Sequence, residues 1–155
     1  MKQRVLFLCT GNSARSQMAE GLLRHMAGDV FEAFSAGTHP VGVNPGAVDA
    51  MKDIGVDISR QRSKHVAEFL SGRFDYVITV CDRAKESCPV FHDAGMLLHW
   101  SFTDPAAAEG TEAEREKVFR RVRDEIQGEI TSFLRGLTHE EKSSMSSRNS
   151  KASPR

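Results

Sequence analysis

Residues Val5-Leu6-Phe7-Leu8 are four large apolar residues in a row, with no polar residue between them. A strand with one wet face alternates apolar and polar residues. An unbroken run belongs to a strand buried on both faces, as in a parallel sheet covered on each side. The run ends at Cys9, and the string Thr10-Gly11-Asn12-Ser13-Ala14-Arg15-Ser16 follows at once. From Ser16 to Met26, the apolar residues Met18, Ala19, Leu22, Leu23 and Met26 recur at helical spacing, and Gly28 closes the segment. A strand, a polar Gly-containing loop and a helix therefore occupy the first 28 residues.

The same alternation continues. Val30 to Ala36 reads as a strand ended by Gly37. Pro45 opens a helix through Met51, with Gly55 just beyond it. Val56 to Lys64 reads as loop and Val66 to Leu70 as a short helix. Asp75 to Val80 is a strand, and so is Met96 to Trp100. A long helix is predicted from Glu112 to Leu137, with Val118, Phe119, Val122, Ile126, Ile130, Phe133 and Leu134 on one stripe. The pattern predicts an α/β domain over residues 1–137, with a parallel sheet covered by helices on both faces. From Thr138 the chain is Ser-rich and charged, and residues 138–155 are expected to form a disordered tail.

In such sheets, sites form beyond the carboxyl ends of the strands. Cys9, Cys81 and Asp104 each follow a predicted strand, so topology alone places all three on one edge.

The chain of 155 residues carries 21 Lys+Arg and 21 Asp+Glu, which argues against a whole-chain nucleic-acid binder. Its first apolar run is too short for a secretory signal or a membrane span, so a cytoplasmic location is expected. Three cysteines without paired CxxC knuckles suggest neither a structural disulfide framework nor a zinc site. His39, His65, His92 and His99 show no metal-ligand spacing either. In a reducing compartment the thiols are either buried bystanders or reactive groups.

The loop after Cys9 favours the second alternative. Its amides and the following helix N-terminus make a cradle for an anion, and Arg15 can fork onto two oxygens of a tetrahedral oxyanion. Gly11 lets the backbone bend, and Asn12 and Ser13 tolerate such turns. The field at the cradle favours a Cys9 thiolate, and the Ser16 hydroxyl can hydrogen-bond its sulfur. Thr10 to Arg15 are thus the candidate oxyanion-binding residues, with Cys9 as nucleophile. A nucleotide P-loop fits less well, because GxxxxGK[ST] is absent. Past the fourth strand, Asp104 precedes Pro105, which holds Asp104 extended. A carboxyl group above the cradle can protonate a departing oxygen.

The string CTGNSARS, placed so near the N-terminus, resembles the loop of the low-molecular-weight protein tyrosine phosphatases. It equally resembles that of the arsenate reductases sharing their fold. The resemblance implies a small doubly wound sheet of four parallel strands and an acid in the Asp-Pro pair. The phosphatases usually follow that pair with tyrosine, whereas Ala106 stands here, as in the reductases.

The cysteine count separates the two branches. A phosphatase needs one thiolate and changes no oxidation state. Reducing arsenate takes two electrons, which two thiols supply by forming a disulfide. Cys81 ends a strand on the site edge, where its thiol can meet Cys9. Cys88 lies seven residues on; if the segment is helical, the two sulfurs stand about two turns, roughly 10 Å, apart. A disulfide needs Cα atoms within about 7 Å, so pairing Cys81 with Cys88 requires that segment to unwind.

The segment VCDRAKESCPVF resembles the redox segment of thioredoxin-coupled arsenate reductases. That resemblance implies a sequence of steps. Cys9 attacks arsenate, Arg15 and the loop amides hold its oxygens, and Asp104 protonates the leaving oxygen. Cys81 then displaces arsenite from Cys9, and Cys88 moves the disulfide to Cys81–Cys88 for thioredoxin. Phosphate or sulfate would mimic the substrate, no cofactor is needed, and a monomer is expected. The alternatives are a low-molecular-weight phosphatase with incidental thiols and a non-enzymatic oxyanion or redox sensor.

Some reductases of this kind bind potassium through side chains matching Asn12, Glu20 and Ser35. Here Arg62-Ser63-Lys64 lacks the acidic residue some relatives place there, and Lys64 would repel a cation. Asn12 and Glu20 are therefore read as hydrogen-bonding buttresses of the loop. The Arg120, Arg121 and Arg123 cluster is expected on the solvated face of the last helix.

Overall fold

The computed structural model describes residues 1–81 and 94–146, with side chains through residue 137. Four strands, β1 (Gln3–Cys9), β2 (Phe31–Gly37), β3 (Tyr76–Thr79) and β4 (Met96–His99), form one parallel sheet in the order β2-β1-β3-β4. The helices are α1 (Arg15–Ala27), α2 (Pro45–Lys52) and α3 (Glu112–Ser146). Short 3-10 turns cover Val66–Phe69 and Pro105–Ala107. The expected α/β class and parallel sheet are present.

Val5, Leu6, Phe7 and Leu8 are all buried, as an apolar run without alternation requires. Both sheet faces are covered. Phe31 of β2 packs on Phe133 of α3, ring centroids 5.9 Å apart. Phe34, an odd number of residues on and so on the opposite face, packs on Phe69 at 5.8 Å and Phe74 at 5.7 Å. The α1 stripe Met18, Ala19, Leu22 and Leu23 is fully buried.

Strand order reverses between β1 and β3, because the chain leaves β1 toward β2 and returns on the other side to β3. A crevice opens at such a point beyond the carboxyl ends. Leu8 pairs with Thr79, and the Val80 amide donates to the Leu8 carbonyl at 2.8 Å. Cys9 and Cys81 are thereby carried to the same end of two adjacent strands.

The helices depart from the sequence reading in two places. α3 runs on to Ser146, past the expected end at Leu137. Glu140, Glu141 and Lys142 are good helix formers and no Gly or Pro intervenes, so the backbone has no reason to stop at Thr138. The remainder of the expected tail lies outside the described residues. Arg123 is also buried rather than solvated: its Nη1 donates to the Ala50 carbonyl at 2.7 Å, tying α3 to the last turn of α2. Arg120 and Arg121 do face solvent, beside Asp53 and Glu125. Gly55 lies in the left-handed region (φ 79°), which explains a glycine in the turn after α2. Among the described residues, no helix is long and apolar enough to cross a membrane.

Candidate active site

The loop from Thr10 to Ala14 is held from outside by its carbonyls. His39 N–H donates to Thr10 O at 2.8 Å, Val41 N–H to Gly11 O at 3.0 Å, and Asn44 N–H to Ser13 O at 2.9 Å. Asn12 O accepts from Gln17 Nε2 and from Ser63 Oγ. With the carbonyl edge engaged outward, the amide edge is left toward the cavity. Ala14 caps α1 with no side-chain hydrogen bond, and no acidic residue lies in the first turn of α1. The first-turn N–H groups are thus available to an anion.

The residue that takes the left-handed turn is Asn12, at φ 46°. Gly11 was expected to supply the bend; its missing Cβ instead makes room for Val41, whose Cγ2 would lie 3.1 Å from it. Gly37 is needed for close approach too, since a Cβ there would lie 2.5 Å from Thr10 O.

Cys9, Thr10, Gly11, Ser13, Ala14, Arg15, Val41, Cys81, Asp104 and Ala106 line one cavity of about 580 Å³. Of the residues singled out in the sequence, the structure brings together Cys9, Arg15, Cys81 and Asp104. Ser16 lies beneath, with its Oγ 2.9 Å from the Cys9 sulfur. Thr10 Oγ1 is 3.4 Å from the Cys81 sulfur and so links the second thiol to the loop. Both thiols are buried. Cys88 lies outside the described residues.

Arg15 reaches across the mouth. Its Nη1 donates to Phe102 O at 3.2 Å and its Nη2 lies 3.6 Å from Asp104 Oδ2. Asp104 is extended (φ −77°, ψ 107°), as Pro105 requires, and its Oδ1 accepts from Ala106 N–H at 3.0 Å. One carboxylate oxygen orients the group while the other faces the guanidinium over the cavity.

Behind the loop, Asn12 is fully buried. Its Nδ2 donates to Ser16 Oγ at 2.8 Å and to Ser35 Oγ at 2.9 Å. Its Oδ1 accepts from Gln17 Nε2 and from the Lys64 amide. Ser35 Oγ donates to Glu20 Oε1 at 2.5 Å. Asn12 and Glu20 thus buttress the loop by hydrogen bonds, as expected. Lys64 Nζ sits 3.5 Å from Glu20 Oε1, on the carboxylate rather than away from it. Burial pushes the Lys64 ammonium below the ordinary lysine value, while the Glu20 charge and hydrogen bond pull it back. Gln17 and Ser63, which hold the loop from behind, carry no signal in the sequence. They are polar residues whose partners lie far along the chain.

A cysteine at a parallel-sheet switch point, inside an amide-and-arginine cradle, defines an enzyme class that attacks tetrahedral oxyanions through sulfur. The chain belongs to the low molecular weight phosphotyrosine protein phosphatase family, whose model matches residues 4–143. Several relatives at 42–50% identity are arsenate reductases. An arsenate reductase from Halalkalibacterium halodurans is 50% identical over 132 residues, covering 85% of this chain and 95% of that protein. A solved arsenate reductase in a phosphate-binding state superposes with a TM-score of 0.75 at 28% identity, over 86% of this chain and 98% of the other. The thioredoxin-dependent arsenate reductase of Corynebacterium glutamicum superposes with a TM-score of 0.70 at 28% identity, over 90% of this chain and 63% of that one.

Proposed function

We propose that this chain reduces arsenate to arsenite through Cys9, Cys81 and Cys88, with thioredoxin as reductant, acting as a cytoplasmic monomer. One observation carries the reading. Two thiols, Cys9 and Cys81, line the same anion cavity, and hydrolysis of a phosphate ester would need only one. The arsenate reductases among its relatives, and the thioredoxin dependence of the one from Corynebacterium glutamicum, support it.

The chemistry proceeds as follows. Arg15 and the loop amides hold three oxygens of arsenate. The Cys9 thiolate attacks arsenic, an As–O bond breaks, and Asp104 donates the proton that lets the oxygen leave as water. Cys81, as thiolate, then attacks the Cys9 sulfur. The electron pair of the S–As bond stays on arsenic, which falls from the +5 to the +3 state and leaves as arsenite. The two sulfurs are now joined and hold the lost electrons' oxidation. Attack of Cys88 on Cys81 frees Cys9 as thiolate and leaves a Cys81–Cys88 disulfide. A dithiol protein of the thioredoxin kind reduces it. The net reaction is arsenate plus a dithiol giving arsenite, water and a disulfide.

The second reading is the phosphatase activity for which the family is named, since phosphate and arsenate are tetrahedral oxyanions of similar size and charge. Cys81→Ser separates the two. It should abolish arsenite formation while sparing hydrolysis of an aryl phosphate. Loss of both activities together in a folded Cys81→Ser variant would contradict the separate role given to Cys81.

A further inference from the structure

Lys64 is nine-tenths buried, lies outside the oxyanion cavity, and touches the loop support at both ends. Its backbone N–H donates to Asn12 Oδ1 at 2.8 Å, and its ammonium lies 3.5 Å from Glu20 Oε1 and 2.8 Å from the Arg62 carbonyl. Between these points runs a chain of hydrogen bonds whose direction can be worked out.

Asn12 Oδ1 faces two N–H donors, Gln17 Nε2 and Lys64 N, so the amide orientation is fixed and Nδ2 points at the hydroxyls. Both Nδ2 hydrogens are used, one on Ser16 Oγ and one on Ser35 Oγ. Ser16 therefore spends its own hydrogen on the Cys9 sulfur, and Ser35 spends its own on Glu20 Oε1. In this pattern Glu20 is an acceptor at both oxygens, Oε1 taking the Ser35 hydrogen and Oε2 facing Arg24.

Glu20 is buried on the α1 face toward β2, where a lone carboxylate is costly. Two cations face it. Arg24 takes the other oxygen, Oε2, at 2.6 Å from a half-exposed position. Among the described residues, Lys64 is the cation that approaches Oε1, the oxygen that accepts from the Ser35 hydroxyl.

We propose that Lys64 is a positioning residue for the nucleophile: its ammonium is a built-in counter-cation that keeps Glu20 an acceptor. The Glu20–Ser35–Asn12–Ser16 relay then aims a hydroxyl proton at the Cys9 sulfur. The role concerns the cysteine itself and holds for arsenate or phosphate chemistry alike, so its test needs neither substrate.

The test is the rate at which iodoacetamide alkylates Cys9, located by peptide mass spectrometry, at pH 6 and pH 9. At pH 6 the rate depends on how well the site favours the thiolate; at pH 9 it depends much less on that support. Lys64→Met, matched in length but neutral, should react about three- to tenfold more slowly than the parent at pH 6 and within about twofold of it at pH 9. Lys64→Arg keeps the charge and should retain most of the pH 6 rate. Lys64→Ala should show the loss, and methylammonium chloride should reverse it while leaving the parent unchanged. Lys64→Met carries the test on its own if Lys64→Ala folds poorly. A Lys64→Met rate equal to the parent's at pH 6, or slowed by the same factor at both pH values, would overturn the proposal. The second outcome would mean that lysine serves packing alone.

Discussion

Ser16 has one hydrogen to give, and Asn12 determines where it goes. Because Asn12 Nδ2 donates to Ser16 Oγ, the hydroxyl is turned onto the Cys9 sulfur 2.9 Å away. Ser16→Ala removes that bond and leaves a buried Asn12 N–H without its acceptor. It should cost about 1–3 kcal/mol of stability and slow the attack of Cys9 about tenfold or more. Urea unfolding and a single-turnover rate measure the two effects. Gly37→Ala tests the cradle from the other side. The new Cβ would lie 2.5 Å from Thr10 O and 2.8 Å from Asn12 N, so the loop must shift. Oxyanion affinity should fall tenfold or more, because displacement of about 1 Å is enough to spoil a fixed set of donors. A phosphate titration of Gly37→Ala that matches the parent would show that the cradle tolerates the shift. Cys9, Arg15, Ser16 and Asp104 were legible in the sequence because short strings carry them and topology brings the strings together. Lys64 was not legible as a partner of Glu20. Its sign argued for repulsion of a bound ion, and only the fold shows its ammonium resting on the carboxylate.

At the scale of elements, α3 begins with a reciprocal cap. The Thr111 hydroxyl accepts from Glu114 N–H, and the Glu114 carboxylate accepts from Thr111 N–H, each at 3.1 Å. Thr111→Ala should destabilise the fold by about 1 kcal/mol. The bonds from Thr111 hold the Glu114 carboxyl below its ordinary value of 4.5. A lowered carboxyl contributes stability that is present above the unfolded value and lost as pH falls through the folded one. The difference between parent and Thr111→Ala, read from thermal melts, should therefore hold from neutral pH to about pH 5 and shrink on further acidification. A difference that stays constant on acidification would mean that the Glu114 carboxylate adds nothing to the Thr111 hydroxyl in the cap. The strands were the most legible elements, since runs such as Val5–Leu8 and Val77–Val80 mark burial on both faces. The far end of α3 was not: after Leu137 the apolar stripe stops, but helix propensity does not. Arg123 misled for a related reason. Periodicity places it at the edge of the stripe, and nothing local reveals the Ala50 carbonyl that its guanidinium meets.

For the whole molecule, the sheet order places the ends of β1 and β3 side by side, and that single fact brings Cys9 and Cys81 into one cavity. Oxyanion binding should also couple to global stability. At ten times its dissociation constant, phosphate should stabilise the parent by about 1.4 kcal/mol, a rise of a few degrees in melting temperature. Arg15→Ala should lose most of that rise. A full rise in Arg15→Ala would place the anion somewhere other than the cradle. The central claim is that Cys9 and Cys81 act on one arsenic atom and that the oxidation ends on Cys81 and Cys88. The most direct test is single turnover of the fully reduced protein with arsenate and no added reductant, followed by mass-spectrometric mapping of disulfides. The account predicts one arsenite per chain and a Cys81–Cys88 disulfide. No arsenite, with Cys9, Cys81 and Cys88 all still thiols, would contradict it.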